Sequence, residues 1–181
     1  LAAVSSTGSL IFLIVGFING IFVGASVIIS RYLGAKNMKD LTLAIHNTIA
    51  LGLIAGIVIT VMGMGLSPVL LRMMGTPEDV FNNSVLYLRI YFAGGIGIAM
   101  YNSCMGIFQA VGDSKRPLYY LTTAAILNTI LDILFVAVFD FGIAGAAMAT
   151  VISQFLSAIL GFTKLLRING DHRVILRQIR I

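Results

Sequence analysis

The sequence predicts an all-α membrane protein, a bundle of five spanning helices, and three observations carry that prediction. First, 59% of its 181 residues are apolar or aromatic and only 10% are charged, with a mean hydropathy of +1.01. A soluble domain of this size needs far more charge to cover a face that meets water. Second, five apolar stretches are long enough to cross roughly 30 Å of hydrocarbon, which takes about 20 helical residues. Third, charged, Gly- and Pro-containing segments separate those stretches.

The spans fall near 9–30, 43–71, 84–109, 118–139 and 142–166, and they form one transmembrane unit over 1–166. Gly34 to Asp40 is a charged turn after span one. Gly75-Thr76-Pro77-Glu78-Asp79 stops span two and restarts the chain, with Thr76 expected as N-cap and Pro77 at the first helical position. Three glycines in the four residues Gly94 to Gly97 weaken span three and predict a bend. Gly112 to Pro117 is a second stop and restart, and Phe139 to Gly142 is a tight hairpin before span five. Beyond it, 167–181 alternates basic and apolar residues, as an interfacial amphipathic segment or a solvated basic tail would.

Charge gives the orientation. Of twelve Lys and Arg, ten follow spans one, three and five, while only Arg72 and Arg89 flank the other side, with Glu78, Asp79 and Asp140. The positive-inside rule makes the first loop, the third loop and the C-terminal end cytoplasmic. The net charge of +5 is therefore spread over short clusters facing an anionic leaflet. A nucleic-acid partner, which needs its cations on one solvated face, is excluded. The chain opens Leu1-Ala2-Ala3-Val4 with no Met and no basic leader. Five spans entered from outside then predict at least one further helix upstream.

Asp132 is the only acid well inside a span. A carboxylate in hydrocarbon costs several kcal/mol, so it should face the bundle interior with partners. Asn128 lies four residues earlier on the same helix face. Folding spans four and five about Phe141 puts Asp132 and Thr150 each nine residues from the turn, about 13 Å deep at 1.5 Å per residue. Asn128 and Gln154 pair likewise. This set offers only oxygen ligands from its carboxylate, amides and hydroxyl, which suits a proton or a hard monovalent cation and not a transition metal. The competing reading is a polar knot that joins two helices; an amide pair would do that without an ionisable group. Gln154, Asn19, Tyr101 and Asn102, with Ser26 and Gln109, are intramembrane polar residues that either line a substrate cavity or satisfy neighbouring backbone. His46 is expected to be solvated at the cytoplasmic end of span two.

Small residues form a further pattern. Gly16, Gly20 and Gly24 share one face of span one, and Gly142, Ala146 and Thr150 share one face of span five. This spacing lets helices approach closely in lipid, either as static packing or as a sliding surface. The single cysteine, Cys104, excludes an internal disulfide and any Cys-based metal site. No G-x-x-x-x-G-K-[ST] loop is present, so transport here would run on an ion gradient rather than on nucleotide. No hydrolase constellation or cofactor motif appears, and the chain is not expected to be an enzyme.

Three segments in order resemble the multidrug and toxic compound extrusion (MATE) family of bacterial type. They are Ser30-Arg31-Tyr32-Leu33-Gly34-Ala35-Lys36-Asn37, Phe108 to Pro117, and the run from Leu127-Asn128-Thr129-Ile130-Leu131-Asp132 through Gly142 to Thr150 and on to Ser153-Gln154. The resemblance implies that the five spans are helices two to six of a six-helix lobe in a twelve-helix, two-lobe transporter, with the second lobe following on the same chain. It implies a cation-coupled antiporter, driven by H+ or Na+ with no other cofactor, exporting amphipathic or cationic organic compounds across the bacterial cytoplasmic membrane. It also implies a cation site made by Asn128, Asp132 and Thr150 with an Asp from the upstream helix. A lipid-linked oligosaccharide flippase of the same superfamily shares the lobe plan, but would want Lys or Arg deep in its cavity, and no span carries one. A non-transporting scaffold would not need Asp132.

Overall fold

In a computed structural model the described residues, which are 2–167 and Val174, with side chains from Thr7 onward, form helices joined by short turns. Helix α1 is Ala2–Gly34, α2 Met38–Met73, α3 Glu78–Ala93, α4 Gly95–Ala110, α5 Lys115–Asp132 and α6 Gly142–Arg167. Helices α1, α2 and α6, and α5 with its continuation to Val138, are each long and apolar enough to cross a membrane. Helices α3 and α4 together make a fifth span, bent by 49° at the break. The chain is a multi-pass membrane bundle. The end of the chain expected to be amphipathic, 167–181, lies outside the described residues except for Arg167 and Val174.

Local chemistry sets the ends. Asn37 caps α2: its Oδ1 accepts from the Asp40 N–H at 3.3 Å, and its Nδ2 donates to Asp40 Oδ2 at 2.7 Å. The preceding turn needs a left-handed residue, which Lys36 supplies at φ 54°. Pro77, not Thr76, is the residue before α3, at φ −58° and ψ 144°. The helix therefore starts one residue later than expected, and the buried Thr76 hydroxyl finds no partner among the described residues. Asp113 closes the start of α5 by accepting from the Arg116 N–H at 3.2 Å while pairing with its guanidinium at 2.6 Å. Within α2, Pro68 removes one backbone bond, and beside it the Ser67 hydroxyl bonds to Gly63 O. This is how helix-breaking residues are tolerated in a bilayer.

The core runs between α2 and α4, and α6 covers α4 and α5. Ile45, Ile49, Ile107 and Phe108 anchor the inner end, and Phe22, Leu71, Leu88 and Phe92 the outer end. Close helix approach uses glycine on α2. A Cβ on Gly56 would lie 2.6 Å from Ile96 Cα, and one on Gly52 would lie 2.8 Å from Ser103 Oγ. The expected stripe on span one is not a packing seam within this bundle: Cβ positions at Gly16, Gly20 and Gly24 meet nothing within 4 Å. That face looks away from α2 and α4, which hold α1 by Ile18, Phe22 and Ile29 instead. On α6 the tight contact falls at Gly145, whose Cβ position lies 3.0 Å from Phe135 Cβ, while Gly142 is open.

Candidate functional site

The Asp132 region is built by an irregular end to span four. After Asp132 the chain winds one wider turn, Ile133–Val138, in π-helical form. The Phe139 N–H reaches back five residues to Leu134 O at 2.9 Å, and Phe141 N–H reaches Phe135 O at 2.8 Å. The rings of Phe135, Phe139 and Phe141 stack over the turn at 5.7 to 6.4 Å between centroids. Asp140 and Gly142 take left-handed φ of 53° and 54° to reverse the chain.

The wider turn changes the register between the last two spans. More residues per turn means less rise per residue, so nine residues on the α5 side reach less deep than nine on α6. The hydrogen bond across the pair therefore joins Asn128 to Thr150, Nδ2 to Oγ1 at 3.4 Å, one turn away from the expected level of Asp132 beside Thr150. The Thr150 hydroxyl donates in turn to Ala146 O at 3.1 Å. Asp132 lies one turn outward of Asn128 on the same face and is half-buried. Its Oδ1 is buried with no hydrogen-bond partner among the described residues.

An unpartnered carboxylate oxygen in a bundle interior is costly unless something charged or hydrogen-bearing meets it. The free capacity nearby is oxygen: the carboxylate itself, the Asn128 carbonyl and a remaining lone pair on Thr150 Oγ1. A proton or a hard monovalent cation fits that set. Tyr87 of α3 adds a group that the sequence alone did not single out. It is buried, and its hydroxyl is within electrostatic reach of the Asp132 carboxylate. Its ring stacks on Tyr91 at 6.4 Å, and Tyr91 meets Phe92 edge-on at 5.9 Å.

A second feature gathers the polar residues of the other half of the bundle. Asn19, Tyr101, Asn102 and Gln109 line one cavity of about 220 Å³ between α1, α4 and the start of α5, with Met105 and Pro117 among its apolar walls. Asn102 Nδ2 donates to Ile98 O at 2.8 Å, which leaves its carbonyl oxygen for another partner. Gln154 does not line this cavity; it is half-buried on α6, one turn inward of Thr150. Ser26 also lies outside it, its hydroxyl donating to Val23 O at 2.7 Å. His46 departs from expectation: it is 1% exposed, with Nδ1 2.6 Å from Thr42 O, because the α1–α2–α4 core closes over it.

A helical bundle with a partly buried carboxylate-amide-hydroxyl set inside its spans and a separate cavity lined by polar and apolar residues is a multi-pass membrane protein. The chain belongs to the MatE family, whose model matches residues 1–134. It is 38% identical over 156 residues, 84% of this chain and 34% of the relative, to a probable multidrug resistance protein, YoeA, of Bacillus subtilis. It is 36% identical over 160 residues to a second from the same organism, YpnP, covering 88% of this chain and 36% of the relative. Among solved structures it resembles the inward-facing conformation of a multidrug resistance MATE family transporter of the MOP superfamily. There the TM-score is 0.92 at 27% identity, over all of this chain and 41% of that one. The outward-facing conformation of such a transporter matches with a TM-score of 0.91 at 27% identity, covering 100% of this chain and 40% of that one. The chain thus spans about a third of the length of the curated relatives it matches.

Proposed function

We propose that the chain forms most of one lobe of a two-lobe exporter that moves amphipathic, often cationic organic compounds out of the cell in exchange for H+ or Na+. The observation that carries this reading is the buried, unpartnered Oδ1 of Asp132 beside the Asn128–Thr150 pair. In a multi-pass bundle of the MatE family, an oxygen left in that state is a place for a coupling ion to bind. Asp132 would hold the charge, Asn128 and Thr150 would complete the oxygen shell, and Tyr87 would face the carboxylate from α3. The cavity of Asn19, Tyr101 and Asn102 would receive the polar part of the exported compound, with Met105 and Phe22 adapting to its apolar body.

The lobe sits in the bacterial plasma membrane with the Lys36 and Lys115 loops cytoplasmic, as the basic residues require. A second lobe on the same polypeptide closes the cavity. Ion and drug must prefer different conformations, since each shifts the equilibrium only by its differential affinity. The test is ethidium efflux from cells carrying the complete two-lobe protein, wild type against Asp132→Asn, with the proton and sodium gradients collapsed in turn. Efflux lost in the variant and dependent on one gradient in the wild type supports the reading and names the ion. Undiminished efflux from the variant reduces Asp132 to a helix-joining residue.

A further inference from the structure

The ion site and the cavity lie on different halves of the bundle. Helix α5 reaches both directly, with Asn128 and Asp132 at the ion site and Pro117 and Leu121 in the cavity wall. The bent third span, gripped by α6, is a second route. Its outer piece, α3, bears Tyr87, within electrostatic reach of the carboxylate; its inner piece, α4, bears Tyr101 and Asn102 in the cavity wall. The pieces meet at Gly94, at φ −82° and ψ 4°, where the span turns by 49°. Helix α6 has no residue in the cavity wall; it bears Thr150 at the ion site, and the next residue, Val151, packs on the bend.

The packing at the bend leaves no spare volume. A Cβ on Gly94 would lie 2.8 Å from Val151 Cγ2 and 2.9 Å from Cγ1. One turn inward on α6 the Phe155 ring lies 3.1 Å from the Cβ position of Gly97. On the opposite side Thr60 Oγ1 lies 2.7 Å from the Cβ position of Gly95, and that hydroxyl is buried with no partner among the described residues. The broken span is thus held between α6 and α2 by side chains rather than by its own continuous ladder. Interiors this close-packed switch between discrete arrangements instead of deforming smoothly.

We propose that Val151 and Gly94 are positioning residues that couple the two sites. Occupancy at Thr150 and Asp132 sets the place of Val151 on α6, Val151 sets the bend at Gly94, and the bend sets where Tyr101 and Asn102 stand in the cavity. This rests on the ion-coupled export reading, and it adds a path by which the ion reaches the drug. The contact is one of fit, so it is testable by a compensating pair. Val151→Ala removes the two methyls from the bend. Gly94→Ala supplies a methyl that collides with them. Together, the new methyl occupies the space vacated.

The measurement is ethidium affinity in the purified complete transporter, with and without saturating sodium at fixed pH, and across the pH range at fixed sodium. In the wild type the coupling ion should shift the ethidium Kd by about tenfold, within the usual range for linked sites. Each single variant should still bind ethidium, with that shift cut to about twofold or less, and the double variant should recover most of it. A merely structural role would lower affinity in both conditions and leave the ratio unchanged, and that result overturns the proposal. So does a double variant no better coupled than the singles. If Gly94→Ala alone fails to fold, Val151→Ala and the double variant still decide the matter. A wild type whose ethidium affinity ignores both ions sinks the coupled-export reading instead.

Discussion

In the proposed exporter, Asp132 must be stable enough to fold in hydrocarbon and still need a partner that the coupling ion can supply. One of its oxygens is buried without a partner among the described residues while the side chain as a whole stays half-exposed, so an ion can arrive and improve the local energy. Replacing the carboxylate by an amide of the same shape should leave the fold intact and abolish the ion-dependent part of transport. Tyr87→Phe is a milder change, removing one buried hydroxyl within electrostatic reach of the carboxylate. We expect it to weaken binding of the coupling ion by about threefold, through loss of that electrostatic interaction, measured by sodium or proton titration of the purified protein. Unaltered ion affinity would assign Tyr87 to packing alone. Asp132 and Asn128 were legible in the sequence because an acid inside a span has no ordinary structural excuse. Tyr87 was not: tyrosine is common in apolar helices, and nothing in a one-dimensional string says which one crosses to a carboxylate some 45 positions on. His46 was misread for a related reason, since its burial depends on which helices close over it.

At the scale of the elements, glycine has two different uses here. Gly56 of α2 lies against the Ile96 backbone with no room for a methyl, so Gly56→Ala forces helices apart and should cost about 1–3 kcal/mol of stability, as overpacking does. Gly20→Ala faces open space and should change the stability of this bundle by no more than about 0.5 kcal/mol, as an ordinary surface change does. Thermal unfolding of the two variants in detergent separates them, and equal losses would mean that the α2–α4 seam is looser than described. The spacing of glycines was visible in both helices, but spacing cannot say which face of a helix meets a neighbour. The bend at Gly94 was easier to foresee, because clustered glycines weaken a helix whatever surrounds it. The wider turn after Asp132 left no such mark: Ile133 to Val138 is an ordinary apolar run, and the long backbone bonds that define its winding are made at the turn that follows.

For the whole molecule, the alternation of long apolar helices with short charged turns made the architecture the most legible feature. Orientation in the membrane follows from the same residues and is open to direct test. In a background carrying Cys104→Ala, a cysteine placed by Lys36→Cys or Lys115→Cys should react with an impermeant maleimide only from the cytoplasmic side. One placed by Glu78→Cys or Asp140→Cys should react only from outside; the reverse pattern would invert the topology. The native Cys104 is fully buried, and it should stay unlabelled in intact membranes. The wide turn between Ile133 and Val138 also has a consequence for how such a chain can vary. It holds one residue more than a regular helix would use over the same height, and that residue acts as slack. Deleting Val136 should let the segment rewind as an ordinary helix, keep the span, and swing the Asn128–Asp132 face by about a quarter of a turn relative to Thr150. At this place in the molecule a change in length, with Asn128, Asp132 and Thr150 all retained, is enough to rewrite which groups meet.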